Sequence, residues 1–201
     1  TDNLYLLKFD FFNDECQRSI KLFNQYGSIL VHYPLNTMGV YVAAIKQDID
    51  SAISIFEELL NYNIESFSYA TIHTNLATCY RCKNNFEKCL YHIKIADSLI
   101  SQTENDDIIL LQTYHYINNA LFHKAKGDLH ISLSIFEECL QSVKLQSRHY
   151  FMINSYMKDI YIQLNNPIPA DVESGCKIVT HPFVALCAKH DMFFATMRFY
   201  E

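Results

Sequence analysis

Ser132-Leu133-Ser134-Ile135-Phe136-Glu137-Glu138-Cys139-Leu140 is nearly a copy of Ala52-Ile53-Ser54-Ile55-Phe56-Glu57-Glu58-Leu59-Leu60, eighty residues upstream. The upstream stretch lies in a segment, 49–61, whose apolar residues fall at i, i+3, i+4 and i+7, the spacing that lines one face of a helix. Self-similarity of this kind in a chain of 201 residues indicates an internal repeat. A third, weaker copy lies between them at Cys89-Leu90-Tyr91-His92-Ile93-Lys94-Ile95-Ala96. Ala52, Cys89 and Ser132 then share one position, Phe56, Ile93 and Phe136 a second, and Leu59, Ala96 and Cys139 a third.

The rest of the chain reads as helices on either side of these copies. Leu4 to Gly27 forms one helix or two, with Asn13 a candidate cap for the second and Gly27 the stop. Residues 28–35 are a connector, since Pro34 interrupts the β-branched run at Ile29. Asn36 is expected to cap a helix through Val40, Tyr41 and Ala44 to about Gln47. Helices follow over 49–61, from Glu65 or Ser66 to Cys82, and from 86 to 101 behind an Asn85 cap. Beyond a polar loop at 102–107, further helices span about 107–126, 128–146 and 148–164, with Gly127 as a break. Asn165-Asn166-Pro167-Ile168-Pro169 is the clearest stop, and a last helix is expected over 183–200. The fold class is therefore all-α, with about eight or nine helices in a single domain.

Composition narrows the function. A formal net charge of −6 argues against a nucleic-acid partner, because phosphate binding needs clustered Lys and Arg. No apolar run approaches the ~20 residues of a membrane span, and no secretory leader is expected ahead of Leu4. Seven Cys, an odd number scattered through helices, fit reduced thiols in the cytoplasm better than a disulfide framework. The ends of the chain suggest a fragment of a longer protein.

Candidate chemistry is sparse. Cys79-Tyr80-Arg81-Cys82 is a single CxxC with no second pair for zinc and no strand-loop-helix context for redox work, so both Cys read as small core residues. Of the nine His, neither His115/His123, His123/His130 nor His181/His190 makes an i, i+4 pair or an HExxH. Phosphate loops and nucleophile elbows are absent, and no metal, cofactor or catalytic residue is expected.

The middle copy carries a recognisable pattern: Leu76-Ala77, Tyr80, Asn84-Asn85-Phe86, Cys89, Ile93 and Ala96. It resembles the tetratricopeptide repeat (TPR), in which Leu-small, Tyr, a turn residue, an aromatic, a small residue, a large apolar residue and Ala recur. The third copy shares Ala120, Gly127, Leu129, Ser132 and Phe136 but has His123 for the Tyr, and the first has Gly39-Val40 and Ala43. The resemblance covers residues 33–146 as about three repeats. Helices 2–32 and 147–164 would extend the array, and 183–200 would cap it through Phe193, Phe194, Met197 and Phe199 or make a homo-oligomer contact. It implies a right-handed superhelix of antiparallel helix pairs, an α-solenoid, whose first helices line a concave groove. Groove-facing residues would be Thr74, Asn75, Thr78 and Arg81 in the middle repeat and Ile117, Asn118, Leu121 and Lys124 in the next. The first repeat would offer Thr37, Met38 and Tyr41, so the Asn ladder would stop short of it. Two Asn one repeat apart would clamp the main chain of a peptide or protein segment, and Arg81 and Lys124 would hold a carboxylate. The irregular repeats resemble the sensing regions of bacterial cytosolic regulators, both peptide-sensing transcription regulators and signal-transducing NTPases. The implied role is non-enzymatic peptide or protein binding in signalling; the alternative is a constitutive scaffold or oligomerisation module.

Overall fold

A computed structural model describes residues 2–102, 108–143, 147–176 and 194. Nine α-helices are described, and no strand. They are α1 (Asp2–Gln25), α2 (His32–Ala44), α3 (Ile49–Leu59), α4 (Ser66–Cys82), α5 (Phe86–Ser101), α6 (Ile108–Lys126), α7 (Leu129–Ser142), α8 (Arg148–Gln163) and α9 (Ala170–Gly175). A short 3-10 turn, Ile29–Val31, joins α1 to α2. None of the described helices is long and apolar enough to cross a membrane.

The helices pack as successive hairpins, α2 on α3, α4 on α5, α6 on α7 and α8 on α9. The first helix of each hairpin also touches the first helix of the next, linking α2, α4, α6 and α8 in order. One backbone device makes most of the reversals. A residue with positive φ ends the helix (Gly27, Gln47, Asn84, Gly127 and Asn165) and a side chain suited to capping follows it: Ser28, Asp48, Asn85, Asp128 and Asn166. Around Asn84 the amide of Asn85 donates to the Tyr80 carbonyl at 2.9 Å, and Asp128 to His123 and Asn166 to Tyr161 repeat that bond at 2.9 and 3.0 Å. This is the Schellman closure, which satisfies carbonyls left open at a helix end. Asp48, Asn85 and Ser28 then accept the amides of Ser51, Lys88 and Leu30, opening the next helix. At the first hairpin the Asp48 amide reaches back to Val42, one residue further than elsewhere. That extra residue lengthens the first turn.

Two expectations are corrected. Asn36 does not cap α2; the helix starts four residues earlier at His32, continuing from the 3-10 turn. Pro34 sits in its first turn, where the missing N–H costs nothing because no carbonyl would accept it. Beyond the Asn165-Asn166 stop, α9 forms a further short helix that periodicity did not reveal. The expected helix over 183–200 lies outside the described residues, apart from Phe194. That side chain is buried, grouped with the core of α2 to α5.

The core falls into two clusters that share helices. The first joins Val40, Ala43, Ala52, Phe56, Leu59, Leu76, Tyr80 and Cys89 with Phe122 of α6. The second joins Leu111, Ile117, Leu121, Phe136, Cys139, Ile153 and Ile160 with Ala70 of α4. Each hairpin thus completes the core of its neighbour: Phe86 meets Phe122 edge-on at 6.1 Å, and Phe136 stacks on Tyr156 of α8 at 5.7 Å. Small residues set the approach within a hairpin. Ser132 of α7 donates to the Ala120 carbonyl of α6 at 2.8 Å, a contact that a larger side chain at 120 would obstruct. In α2 the same closeness falls at Gly39, where a Cβ would stand 2.6 Å from the fully buried ring of Phe56. Gly39→Ala is therefore expected to cost about 1–3 kcal/mol in urea unfolding, the range for overpacking. Much of that loss should return in the double variant with Phe56→Leu.

Candidate functional site

The residues proposed from sequence as groove-facing come together along α4 and α6, but as a buried network. Thr74, Asn75, Thr78, Arg81, Asn118, Leu121 and Tyr41 are all buried, and Lys124 is partly so. Asn75 Nδ2 donates to Asn36 Oδ1 at 2.9 Å, joining α4 to α2. Thr78 Oγ1 donates to Asn118 Oδ1 at 2.6 Å, joining α4 to α6, and Asn118 Nδ2 donates to the Tyr114 carbonyl at 3.1 Å. Lys124 Nζ meets Asp159 Oδ2 at 2.7 Å, carrying the series on to α8. A polar ladder thus crosses the first helices of four successive hairpins.

The local sequence explains the placement. Asn75 stands ten residues ahead of the capping residue Asn85, and Asn118 stands at the same offset from Asp128. Equal offsets from equivalent turns put both on the same face of their helices. In α2 the ladder position is filled by Asn36, so the ladder does extend into the first hairpin, contrary to expectation. Asn36 stands twelve residues ahead of Asp48, two more than in the other hairpins, so strict alignment selects Thr37, Met38 and Tyr41 instead. Of these, Thr37 donates to the Tyr33 carbonyl within its own helix at 3.0 Å. His32 adds a second α2–α4 link, with its Nε2 3.3 Å from the hydroxyl of Ser68.

The Asn36–Asn75 and Thr78–Asn118 rungs join neutral partners, which suits a dry setting, since a buried polar group left unmade costs more than it gains when paired; the Lys124–Asp159 link is instead a charged pair at the half-exposed end. Asn36 departs from that rule. It is fully buried, and its Nδ2 has no hydrogen-bond partner. The cations differ from expectation as well. Arg81 is buried, whereas the charge of Lys124 is answered by Asp159 and its ammonium stands 5.8 Å from the Tyr156 ring.

A second buried polar group went unremarked in the sequence. His73 of α4 and His92 of α5 face each other with Nδ1 atoms 2.8 Å apart, and the Tyr80 ring stacks on His92 at 5.4 Å. One ring must donate its Nδ1 proton and the other accept it, so the bond requires at least one neutral ring. Burial lowers both from the usual 6.5 to about 4, with the neighbouring charge of Lys88 adding to the effect on His92. Their separation of 19 residues spans a helix turn, so no single-helix spacing rule could pair them.

Cys79 and Cys89 are not activated thiols. Cys79 and Cys89 are buried beside each other's helices, and burial pushes the Cys89 thiol up to about 12 and that of Cys79 higher still. Six cysteines are described, all free thiols. Among the described residues no group of three His, Cys, Asp or Glu is placed to hold a metal ion.

Two outcomes are expected in solution. Asn118→Ala, which removes the shorter of the two acceptors of Thr78 (the other is the Thr74 carbonyl at 3.3 Å) and breaks the α4–α6 rung, should destabilise by about 1–3 kcal/mol without altering helix content by circular dichroism. The His pair should impose a pH dependence of definite sign. Folded rings with lowered affinity for protons stay neutral while the unfolded chain takes protons up near 6.5, so stability is full above that value and falls as pH drops toward 4. The urea midpoint should fall between about pH 7 and pH 5 by the equivalent of about 2–4 kcal/mol, and His92→Phe should remove roughly half of that slope.

Against known proteins, the chain matches no family model, no curated protein and no solved structure.

Proposed function

We propose that this chain is a non-enzymatic, TPR-like module that binds a peptide or protein segment, and that it serves as the ligand-sensing part of a bacterial cytoplasmic signalling or transcription regulator. The observation that carries the reading is the Asn36–Asn75 rung, in which a fully buried carboxamide keeps an unused donor. A buried donor without an acceptor costs about 1–3 kcal/mol, and a main-chain carbonyl from a bound segment would recover it. The next carboxamide along the same face, Asn118, stands one hairpin further on, the arrangement that a repeating peptide backbone demands.

Several features support the solenoid part of the reading. The same turn closure recurs from hairpin to hairpin, and first helices touch first helices in sequence order. Buried, neutral thiols accord with a reducing compartment. In this mechanism a ligand that takes up the Asn36 donor draws α2 and α4 into a fixed spacing, and the shared core passes that spacing down the array to an effector. A second reading, a constitutive scaffold that includes the sensor region of a signal-transducing NTPase, is favoured by the Lys124–Asp159 ion pair, which closes one end of the ladder without a ligand.

The test is a peptide-display selection against the whole chain, followed by fluorescence anisotropy on the selected peptides. Asn36→Asp keeps the shape and the acceptor for Asn75 but removes the donor. It should weaken binding by ~10-fold or more, a loss of about 1.4 kcal/mol or greater. Equal affinity for wild type and variant would reject the rung as the site, and failure to select any peptide would favour the scaffold.

A further inference from the structure

The outer face of α1 carries a stripe with no partner among the described residues. Phe11, Leu22 and Tyr26 are 66%, 52% and 74% exposed, while Cys16 on the opposite face is 7% exposed. Glu15 and Arg18 lie on the same outer face between Phe11 and Leu22, joined at 2.8 Å and both well exposed. At 100° per residue, positions 11, 15, 18 and 22 fall within a narrow arc along the helix. Ile29 and Leu30, also exposed, prolong the apolar surface beyond the helix end. Large apolar side chains aligned this way are costly to leave in water.

The order of the stripe is its informative property. Phe11 and Leu22 are symmetric about the same midpoint as Glu15 and Arg18, between residues 16 and 17. The apolar, acidic, basic, apolar series therefore has opposite charges at mirror positions. Laid antiparallel on a second copy about a two-fold axis through that midpoint, each Phe11 meets the other copy's Leu22 and each Glu15 meets the other copy's Arg18. A parallel pairing in register would instead place Glu on Glu and Arg on Arg.

We infer that this protein self-associates as a two-fold symmetric dimer through antiparallel pairing of the outer face of α1, with Phe11 against Leu22 and Glu15 against Arg18 across the axis. An isologous interface must be self-complementary, and this stripe meets that condition in its order of apolar and charged residues. α1, at 24 residues, is about 36 Å long, enough for a continuous helix-helix seam. The dimer lies at the opposite end of the hairpin series from α9 and does not involve the polar ladder, so it stands or falls independently of the peptide-binding reading.

Sedimentation equilibrium on the whole chain from about 1 to about 100 μM tests it. Wild type is expected as a reversible dimer. Leu22→Glu, which sets a carboxylate against Phe11, and Glu15→Arg, which sets Arg against Arg, should each raise the dissociation constant ~10-fold or more. The double variant Glu15→Arg with Arg18→Glu should restore dimerisation to near the wild-type strength, because it reverses both signs at mirror positions. All three carry changes on exposed positions, and circular dichroism confirms their helix content. A wild type that stays monomeric throughout overturns the inference. So does a dimer whose strength ignores Leu22→Glu and Glu15→Arg, or a double variant that fails to recover.

Discussion

The architecture depends on how each first helix ends. A residue in the left-handed region followed by a capping side chain closes one helix and satisfies its open carbonyls, and at Gln47, Asn84 and Gly127 the next helix starts two residues on. Gln47, Asn84 and Asn165 accept that conformation at a cost that Gly127 avoids, and in return the chain reverses at a set angle. A reversal so short forces the two helices into contact, and the small residues at Gly39, Ala120 and Ser132 allow that contact to be close. The copied segments are the second helices of these hairpins. Phe56 and Phe136 are fully buried at equivalent positions, which is the physical reason for the copying.

Hairpin-to-hairpin association uses a different chemistry. Apolar contacts such as Phe86 on Phe122 supply area but tolerate sliding, because dispersion and burial are not directional. Carboxamide and hydroxyl rungs are directional. Asn36–Asn75 and Thr78–Asn118 hold only when α2, α4 and α6 stand in one register, since a slipped helix would leave buried polar groups unmade. The ladder therefore selects one stacking among several of similar apolar area.

The His73–His92 pair belongs to the interior of the middle hairpin and not to the ladder. Tyr80 links it outward, stacking on His92, donating to Glu57 of α3 at 2.6 Å and receiving Lys88 of α5 at 3.2 Å. The Tyr of the TPR-like pattern thus acts as a junction between two hairpins. In the next hairpin His123 holds the same place and turns instead to Asp128, 3.3 Å away, at the capping position of the turn.

Periodicity and turn chemistry were enough to place most helices within a residue or two. For α4, α5 and α8 the starts are given by local signals, Glu65-Ser66, the Asn85 cap and Ser147-Arg148, that act over three or four residues. Asn75 and Asn118 were also legible as equivalent, because equal offset from equivalent turns is a one-dimensional property. What the chain alone left undetermined was distance across helices. Asn36 read as a cap because Asn commonly caps, and only the packing of α2 on α4 makes it the partner of Asn75. His73 and His92 belong to different helices, and their contact exists only once the Asn84 turn has folded them together. Lys124 read as a free cation until α8 brought Asp159 to it. Local sequence decides where helices begin and end, since those choices are made within one turn; which buried polar groups meet is decided by the stacking of hairpins, which brings together residues far apart in the chain.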